Sequence, residues 1–161
     1  PIVRQDMAAF IRREAQRRNI LDADTWVPSA ADYARFSDVN AETPHAEDIL
    51  WMAHAGIATG WLEADGTYTF RGMSPVVRQD MAAFIQRLAA KAGKASGVKP
   101  KTDFTDVNAN TPHVKEVQWL GGSGIAQGYS NNDGSWRFEG MTNVFRQDMA
   151  AFMHRLDDHM A

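Results

Sequence analysis

The stretch Val77-Arg78-Gln79-Asp80-Met81-Ala82-Ala83-Phe84 returns as Phe145-Arg146-Gln147-Asp148-Met149-Ala150-Ala151-Phe152, and the chain opens with it as Val3-Arg4-Gln5-Asp6-Met7-Ala8-Ala9-Phe10. Self-similarity of this kind limits the fold to an array of like units, because each copy must find the same local structure. Apolar repetition alone would mean only a repeated core. Here a charged Arg-Gln-Asp triplet is copied together with the apolar residues. A core does not require a fixed arginine, so the repeated polar element is the first pointer to function.

Two full repeats align without a gap: Phe36 pairs with Phe104 and Leu88 with Leu156, a constant offset of 68 residues with about half of the positions identical. Pro1 to Arg13 aligns with Pro75 to Arg87 and corresponds only to the second half of a repeat. The chain therefore divides into the second half of repeat one (1–20), a linker (21–35), repeat two (36–90), a second linker (91–103) and repeat three (104–161). The first linker carries Trp26, Pro28 and a short helix predicted from Ser29. The second is Lys/Gly/Ser/Pro-rich and reads as exposed.

The 161 residues suffice for one compact domain or an array of small repeats. With 44% hydrophobic and 23% charged residues the chain is ordinary globular material rather than disordered. A formal net charge of −3 argues against a nucleic-acid partner, which needs a basic face. No cysteine is present, which excludes disulfides and thiolate metal sites. No apolar run approaches the roughly 20 residues that span a bilayer, so no transmembrane segment is expected.

Each full repeat reads as helix, turn, helix. Thr43-Pro44 and Thr111-Pro112 predict the first helix start, a Thr cap followed by Pro. Glu47, Asp48 and Glu116 then fall in the first turn, where the helix dipole favours negative charge. Gly56 and Gly124 are placed to end these helices in a left-handed cap. Asp65-Gly66 and Asp133-Gly134, flanked by aromatics, predict tight turns or hairpins with strands no longer than about four residues. The second helix is predicted from Ser74-Pro75 and Thr142. Its stripe is Val77, Met81, Phe84, Ile85 and Leu88, matched by Phe145, Met149, Phe152, Met153 and Leu156. Three helices with one shared stripe predict a mainly α fold built on a three-helix bundle, each buried side chain contributing about 1.5–3 kcal/mol.

Arg4, Arg78 and Arg146 lie within the first turn or so of that helix, where a cation opposes the dipole at a cost of about 0.3–1 kcal/mol. Placed three times, the penalty suggests compensation by an anion: free backbone N–H groups plus a guanidinium suit a carboxylate or phosphate. An internal salt bridge explains the arginines equally well, and both readings stay open. Asp80 and Asp148 read as structural, bonding back to helix N–H groups or pairing with a neighbouring arginine. Trp51 and Trp119 fall about 200° around the helix from the inward residues Ile49 and Val117, so each packs on a neighbour or lines a groove where a sugar ring can stack. The acids around Asp65 and Asp133 lack the regular spacing and closing bidentate acid of a calcium loop. His45 and His113 repeat without a second histidine at ligand spacing, so no metal is expected. No triad or phosphate-binding Gly-rich loop recurs, so no catalytic residue and no cofactor is assigned.

Phe36-Ser37-Asp38-Val39, Trp51, Gly56-Ile57, Gly60, Asp65-Gly66, Phe70 and Arg78 together resemble the S-layer homology repeat. The same order reappears at Phe104, Asp106-Val107, Trp119, Gly124-Ile125, Gly128, Asp133-Gly134, Phe138 and Arg146. The resemblance implies tandem helix-turn-helix repeats in a pseudo-threefold domain, with a central three-helix bundle, lobes and short hairpins. It implies a non-catalytic, extracellular module that anchors a bacterial surface protein by binding a secondary cell-wall polysaccharide, often one bearing a pyruvate ketal. In that family the helix begins Thr-Arg-Ala-Glu and its arginine meets the pyruvate carboxylate in grooves between lobes. Carried over, the ligand-binding role falls to Arg78, Arg146 and Arg4, with Trp51, Trp119, Gly60 and Gly128 near the grooves.

The chain departs from the family pattern where Thr becomes Val77, Phe145 or Val3, Ala becomes Gln, and Glu becomes the shorter Asp. The lost hydroxyl leaves the sugar unassigned. Repeat one lacks its first helix and turn in this stretch, which allows a homodimer in which a second copy supplies the missing half. The alternative function is a structural or protein-interaction segment of a surface adhesin, its arginines spent on internal bridges. An enzyme whose active site lies in another domain is a third.

Overall fold

All three Arg-Gln-Asp copies open a helix. The structure, a computed structural model describing residues 1–161, runs α1 (Arg4–Arg17), α2 (Ala30–Tyr33), α3 (Ala46–His54), β1 (Trp61–Leu62), β2 (Tyr68–Thr69), α4 (Arg78–Lys91), α5 (Val114–Ser123), β3 (Tyr129–Ser130), β4 (Trp136–Arg137) and α6 (Arg146–Met160). It is mainly helical, with β1–β2 and β3–β4 forming two antiparallel hairpins of two residues per strand. The chain divides into two compact units, Ile2–Pro75 and Val76–Ala161 with Pro1. The division falls inside sequence repeat two (36–90), because a helix docks on the lobe of the following repeat. In the first unit α1 packs on α3; in the second α4 packs on α5 and on α6.

The apolar stripes form the cores. Met7 and Ile11 are fully buried on α1, as are Met81, Ile85 and Leu88 on α4 and Met149 and Leu156 on α6. Opposite them sit Ile49, Leu50 and Ile57 in one lobe and Val117, Leu120 and Ile125 in the other. Phe36 against Phe70, and Phe104 against Phe138, close each lobe with ring centroids 5.7 and 5.4 Å apart. Gly56, at φ 79°, ends α3 as expected: the Ile57 N–H donates to Met52 O and the Gly56 N–H to Ala53 O, a Schellman cap.

Helix starts differ from the sequence expectation. Thr43 and Thr111 are not caps; their hydroxyls accept the N–H groups of Asn40 and Asn108 at 2.9 Å and close a preceding turn. The actual N-caps are His45 and His113, held left-handed at φ 59° and 58°. Ser74-Pro75 and Thr142 likewise precede the second helices, which begin at Arg78 and Arg146. Val3, Val77 and Phe145 are extended N-caps without any side-chain cap bond. Instead, Val3 bridges Pro75 and Val77 bridges Asn143 as isolated antiparallel pairs.

The second linker is exposed yet laid along α5. The Lys101 N–H donates to Gln118 O at 2.9 Å, and a Cβ on Gly122 would strike the Lys99 carbonyl. A short helix does follow Ser29, whose hydroxyl and Asp32 form a reciprocal capping box.

Gly60 illustrates how tightly the hairpins seat. At φ +74° it occupies the left-handed region, and a Cβ would lie 2.5 Å from both Phe36 Cε1 and Thr69 O. Gly66, at φ +85° in the β1–β2 turn, faces open space. Gly66→Ala should therefore cost only the left-handed strain, about 1–2 kcal/mol. Gly60→Ala should cost that plus an overpacking penalty of about 1–3 kcal/mol. Denaturant melts of the two variants check the difference; equal losses would contradict the packing described.

Candidate functional site

The repeated Arg-Gln pair is a clasp. At the start of α4, the Arg78 N–H donates to Thr142 O at 3.0 Å and the Gln79 N–H to Gly140 O at 2.8 Å. The Arg78 side chain turns to the same loop, Nε donating to Phe138 O at 2.9 Å. The first unit repeats the arrangement: Arg4 N–H to Ser74 O, Gln5 N–H to Gly72 O, and Arg4 Nε to Phe70 O at 2.8 Å. Gly72 and Gly140 admit the glutamines, since a Cβ there would sit 2.8 and 2.6 Å from Gln5 Oε1 and Gln79 Oε1. The first two N–H groups of these helix starts are thus met by loop carbonyls and do not form the anion cradle that was one of the two readings left open by the sequence. Asp38 and Asp106 hold each loop in place, accepting the N–H groups of Phe70 and Arg71, and of Phe138 and Glu139, all at 2.8 Å.

Both clasp arginines are 4% exposed and stack on aromatics. Arg4 lies 4.1 Å from the Trp61 ring centre and 4.7 Å from that of Phe70. Arg78 lies 4.8 Å from Tyr129, 4.7 Å from Phe138 and 5.5 Å from Phe152. Burial pushes the Arg78 pKa down, while Tyr129, Asp148, Glu139 and Asp106 push it up. The group stays protonated throughout the physiological range.

Arg78 makes no ion pair, and its one side-chain hydrogen bond is through Nε. No buried side-chain nitrogen or oxygen in the molecule lacks a partner, so the terminal nitrogens of Arg78 reach open space. That space is a cavity of about 320 Å³ lined by Arg78, Gly128, Tyr129, Asp148, Phe152 and Arg155, among others. Arg155 Nη1 donates to Ile125 O at 3.2 Å, fixing that side chain at the wall. Two expected site residues, Arg78 and Gly128, are brought together here. Gly128, at φ +84°, is also structural: a Cβ would strike Arg137 O.

The remaining candidates lie elsewhere. Trp51 is fully buried, its indole N–H donating to Asp22 Oδ1 at 3.1 Å, so neither ring face is open for sugar stacking. Trp119 is nearly so, donating to Ala95 O at 2.8 Å and meeting the His159 ring at 5.2 Å. Each tryptophan pins the segment that follows the preceding helix, which is the packing role rather than the groove role. Gly60 is set against Phe36 and does not line the Arg78 cavity. Arg146 is exposed at the start of α6, beside Phe145, which is 47% exposed. Asp6 and Asp80 face the lobe histidines, His45 at 3.6 Å and His113 at 3.5 Å, whereas Asp148 forms no hydrogen bond or ion pair.

Three groups went unread in the sequence. Arg155 is a repeated cation, aligning with Arg13 and Arg87, and that regularity was an available signal. Tyr129 stands where Trp61 stands in the other lobe. Arg12, buried and bonded to Ala23 O, Trp26 O and Asp48, aligns with Gln86 and His154 and so left no repeat to notice.

Comparison with protein family models, with curated proteins and with solved structures returns no match.

Asp22 allows the tryptophan anchor to be tested by pH. Burial raises its carboxyl pKa, but hydrogen bonds from His54 and Trp51 outweigh this and hold it below its ordinary value of 3.8. A depressed carboxyl stabilises the fold above the unfolded value and loses that contribution as pH falls through the folded value. Asp22→Asn should therefore melt lower than the parent near neutrality, with the gap closing as pH drops below about 3.8. A gap that persists unchanged in acid would contradict the assignment.

Proposed function

We propose that this chain is a non-catalytic, extracellular wall-anchoring module that binds an anionic secondary cell-wall polysaccharide, with Arg78 as the principal contact. The observation that carries the reading is a buried guanidinium without a carboxylate partner, opening into a cavity walled by Tyr129, Gly128 and Arg155. A cation buried this deeply is costly unless something compensates it. Aromatic faces, one carbonyl and the more distant carboxylates of Asp148, Glu139 and Asp106 compensate Arg78 in part, and an acidic group on a glycan would add a direct partner. The resemblance to S-layer homology repeats points the same way. On this reading Arg4 and Arg146 are the equivalent contacts of the other copies. The exposed Phe145-Arg146-Gln147 start of α6 is then the surface that a further lobe, from another stretch of polypeptide or a second copy, would cover.

A charge-assisted hydrogen bond contributes about 1.5–3 kcal/mol, so one arginine and a ring face give modest affinity per site. Many copies on one wall would raise retention through avidity.

A second reading has an observation behind it. The Nε bonds of Arg4 and Arg78 to Phe70 O and Phe138 O make these arginines fasteners between helix and lobe, as a purely structural segment of a surface adhesin would use them. The two roles differ in which nitrogens they need.

Co-sedimentation with purified cell walls separates them. Tyr129→Ala and Arg78→Gln, each verified as folded by circular dichroism, should lose most wall binding. Walls whose carboxyl groups have been chemically reduced should fail to retain the parent. Folded Arg78→Gln that sediments like the parent would leave only the fastener role.

A further inference from the structure

The two units treat one equivalent position differently. In the first unit Arg12 reaches from α1 into the lobe and is 5% exposed, with every nitrogen of its guanidinium bonded. Nε donates to Ala23 O at 3.1 Å, Nη2 to Trp26 O at 2.9 Å and Nη1 to Asp48 Oδ1 at 3.4 Å. In the second unit the aligned residue on α4 is Gln86, which is shorter and uncharged. The acid is kept: Glu116 stands on α5 where Asp48 stands on α3. Beside them lies a cavity of about 470 Å³, lined by Gln86, Pro100, Lys115, Glu116 and Trp119, among others. The Glu116 carboxylate has no hydrogen bond or ion pair within the chain, and the Gln86 amide has none either.

One unit thus holds an acid with its guanidinium, and the other holds the acid alone beside a hollow. Asp48 and Glu116 each occupy the third position of their helix. Asp48 shows that a carboxylate placed there holds a guanidinium even though the helix start carries the positive end of the dipole. Trp119 remains 7% exposed where Trp51 is fully buried, and with Pro100 it gives the cavity an apolar wall. A planar guanidinium can lie on such a wall while its fork bonds a carboxylate, a combination that a lysine ammonium does not match. Lys115 is a like charge in the lining. It is exposed, however, and its long stem lets the ammonium stay in water.

We propose that this cavity is a receptor for an arginine side chain of another polypeptide, whose guanidinium pairs with Glu116, donates to the Gln86 amide oxygen and lies against Trp119. The incoming arginine would do from outside what Arg12 does from within the first unit. The inference stands apart from the wall-anchoring reading, since this cavity shares no lining residue with that of Arg78.

The test follows the indole N–H signals of the intact, nitrogen-15-labelled chain. Trp119, whose indole N–H donates to Ala95 O at 2.8 Å, is the reporter, and Trp51 in the first unit is the control. N-acetyl-arginine methylamide should shift the Trp119 signal and leave that of Trp51 in place. The citrulline analogue, which keeps the shape and loses the charge, should bind about tenfold or more weakly, and the lysine analogue should also bind more weakly. Glu116→Gln should weaken the arginine probe by a similar factor. Gln86→Arg, which supplies the guanidinium from α4 itself, should abolish binding. No shift of Trp119 at tens of millimolar probe, or citrulline or lysine binding as tightly as arginine, would overturn the proposal. So would a folded Glu116→Gln or Gln86→Arg chain that binds the probe undiminished.

Discussion

A guanidinium donating to one backbone carbonyl and lying on aromatic faces is the interaction on which each unit depends. It joins the start of a helix to the end of a hairpin far away in the chain, Arg4 to Phe70 and Arg78 to Phe138. Cation–π contacts are worth about 0.5–2 kcal/mol each, the larger values where water is excluded. With the carbonyl bond and the two main-chain bonds beside it, the contact sets where the helix begins without any polar cap residue. It also explains why glutamine is copied with arginine: its side chain fills the hollow that Gly72 or Gly140 leaves.

A cation at the first helical position opposes the helix dipole, and the fold meets that cost in two ways. Carbonyls of the lobe loop take the first two N–H groups, so the positive end of the helix is already satisfied by neutral acceptors. Electron-rich ring faces then hold the guanidinium itself. In the second unit the enclosure stops short on one side, where the terminal nitrogens of Arg78 meet the cavity shared with Asp148 and Arg155. Nε fastens, and on the function proposed above the terminal nitrogens are the ones left for a ligand.

What could be read from the sequence was local. The stripe on each long helix, the left-handed Gly56 and Gly124, the brevity of the hairpins and the capping box at Ser29 each depend on residues close together in the chain. All of them appear in the structure, except that within the stripes Phe145 is 47% exposed and Val77 and Met153 are half-buried. What was misread depended on distant partners. Thr43-Pro44 and Ser74-Pro75 look like helix starts, but their polar groups close turns, while the true starts are fixed by carbonyls or by left-handed histidines. Trp51 and Trp119 could have faced a groove; only the placement of Asp22 and Ala95 shows them pinned inside. For the arginines, neither expected partner, a free anion or an internal acid, accounts for Nε. A carbonyl does, and no residue pattern announces a carbonyl.

The division of labour proposed for Arg78 can be tested directly through its own protons. In a nitrogen-15 spectrum of the arginine side chains, the Arg78 Nε–H signal should be sharp and slow to exchange with solvent, and should stay in place when soluble acidic wall polymer is added. The terminal N–H signals of the same residue should exchange quickly when free and slow or shift on addition of polymer. Rapid exchange at Nε, or terminal signals indifferent to saturating polymer, would contradict a guanidinium that fastens with one nitrogen and binds with the others.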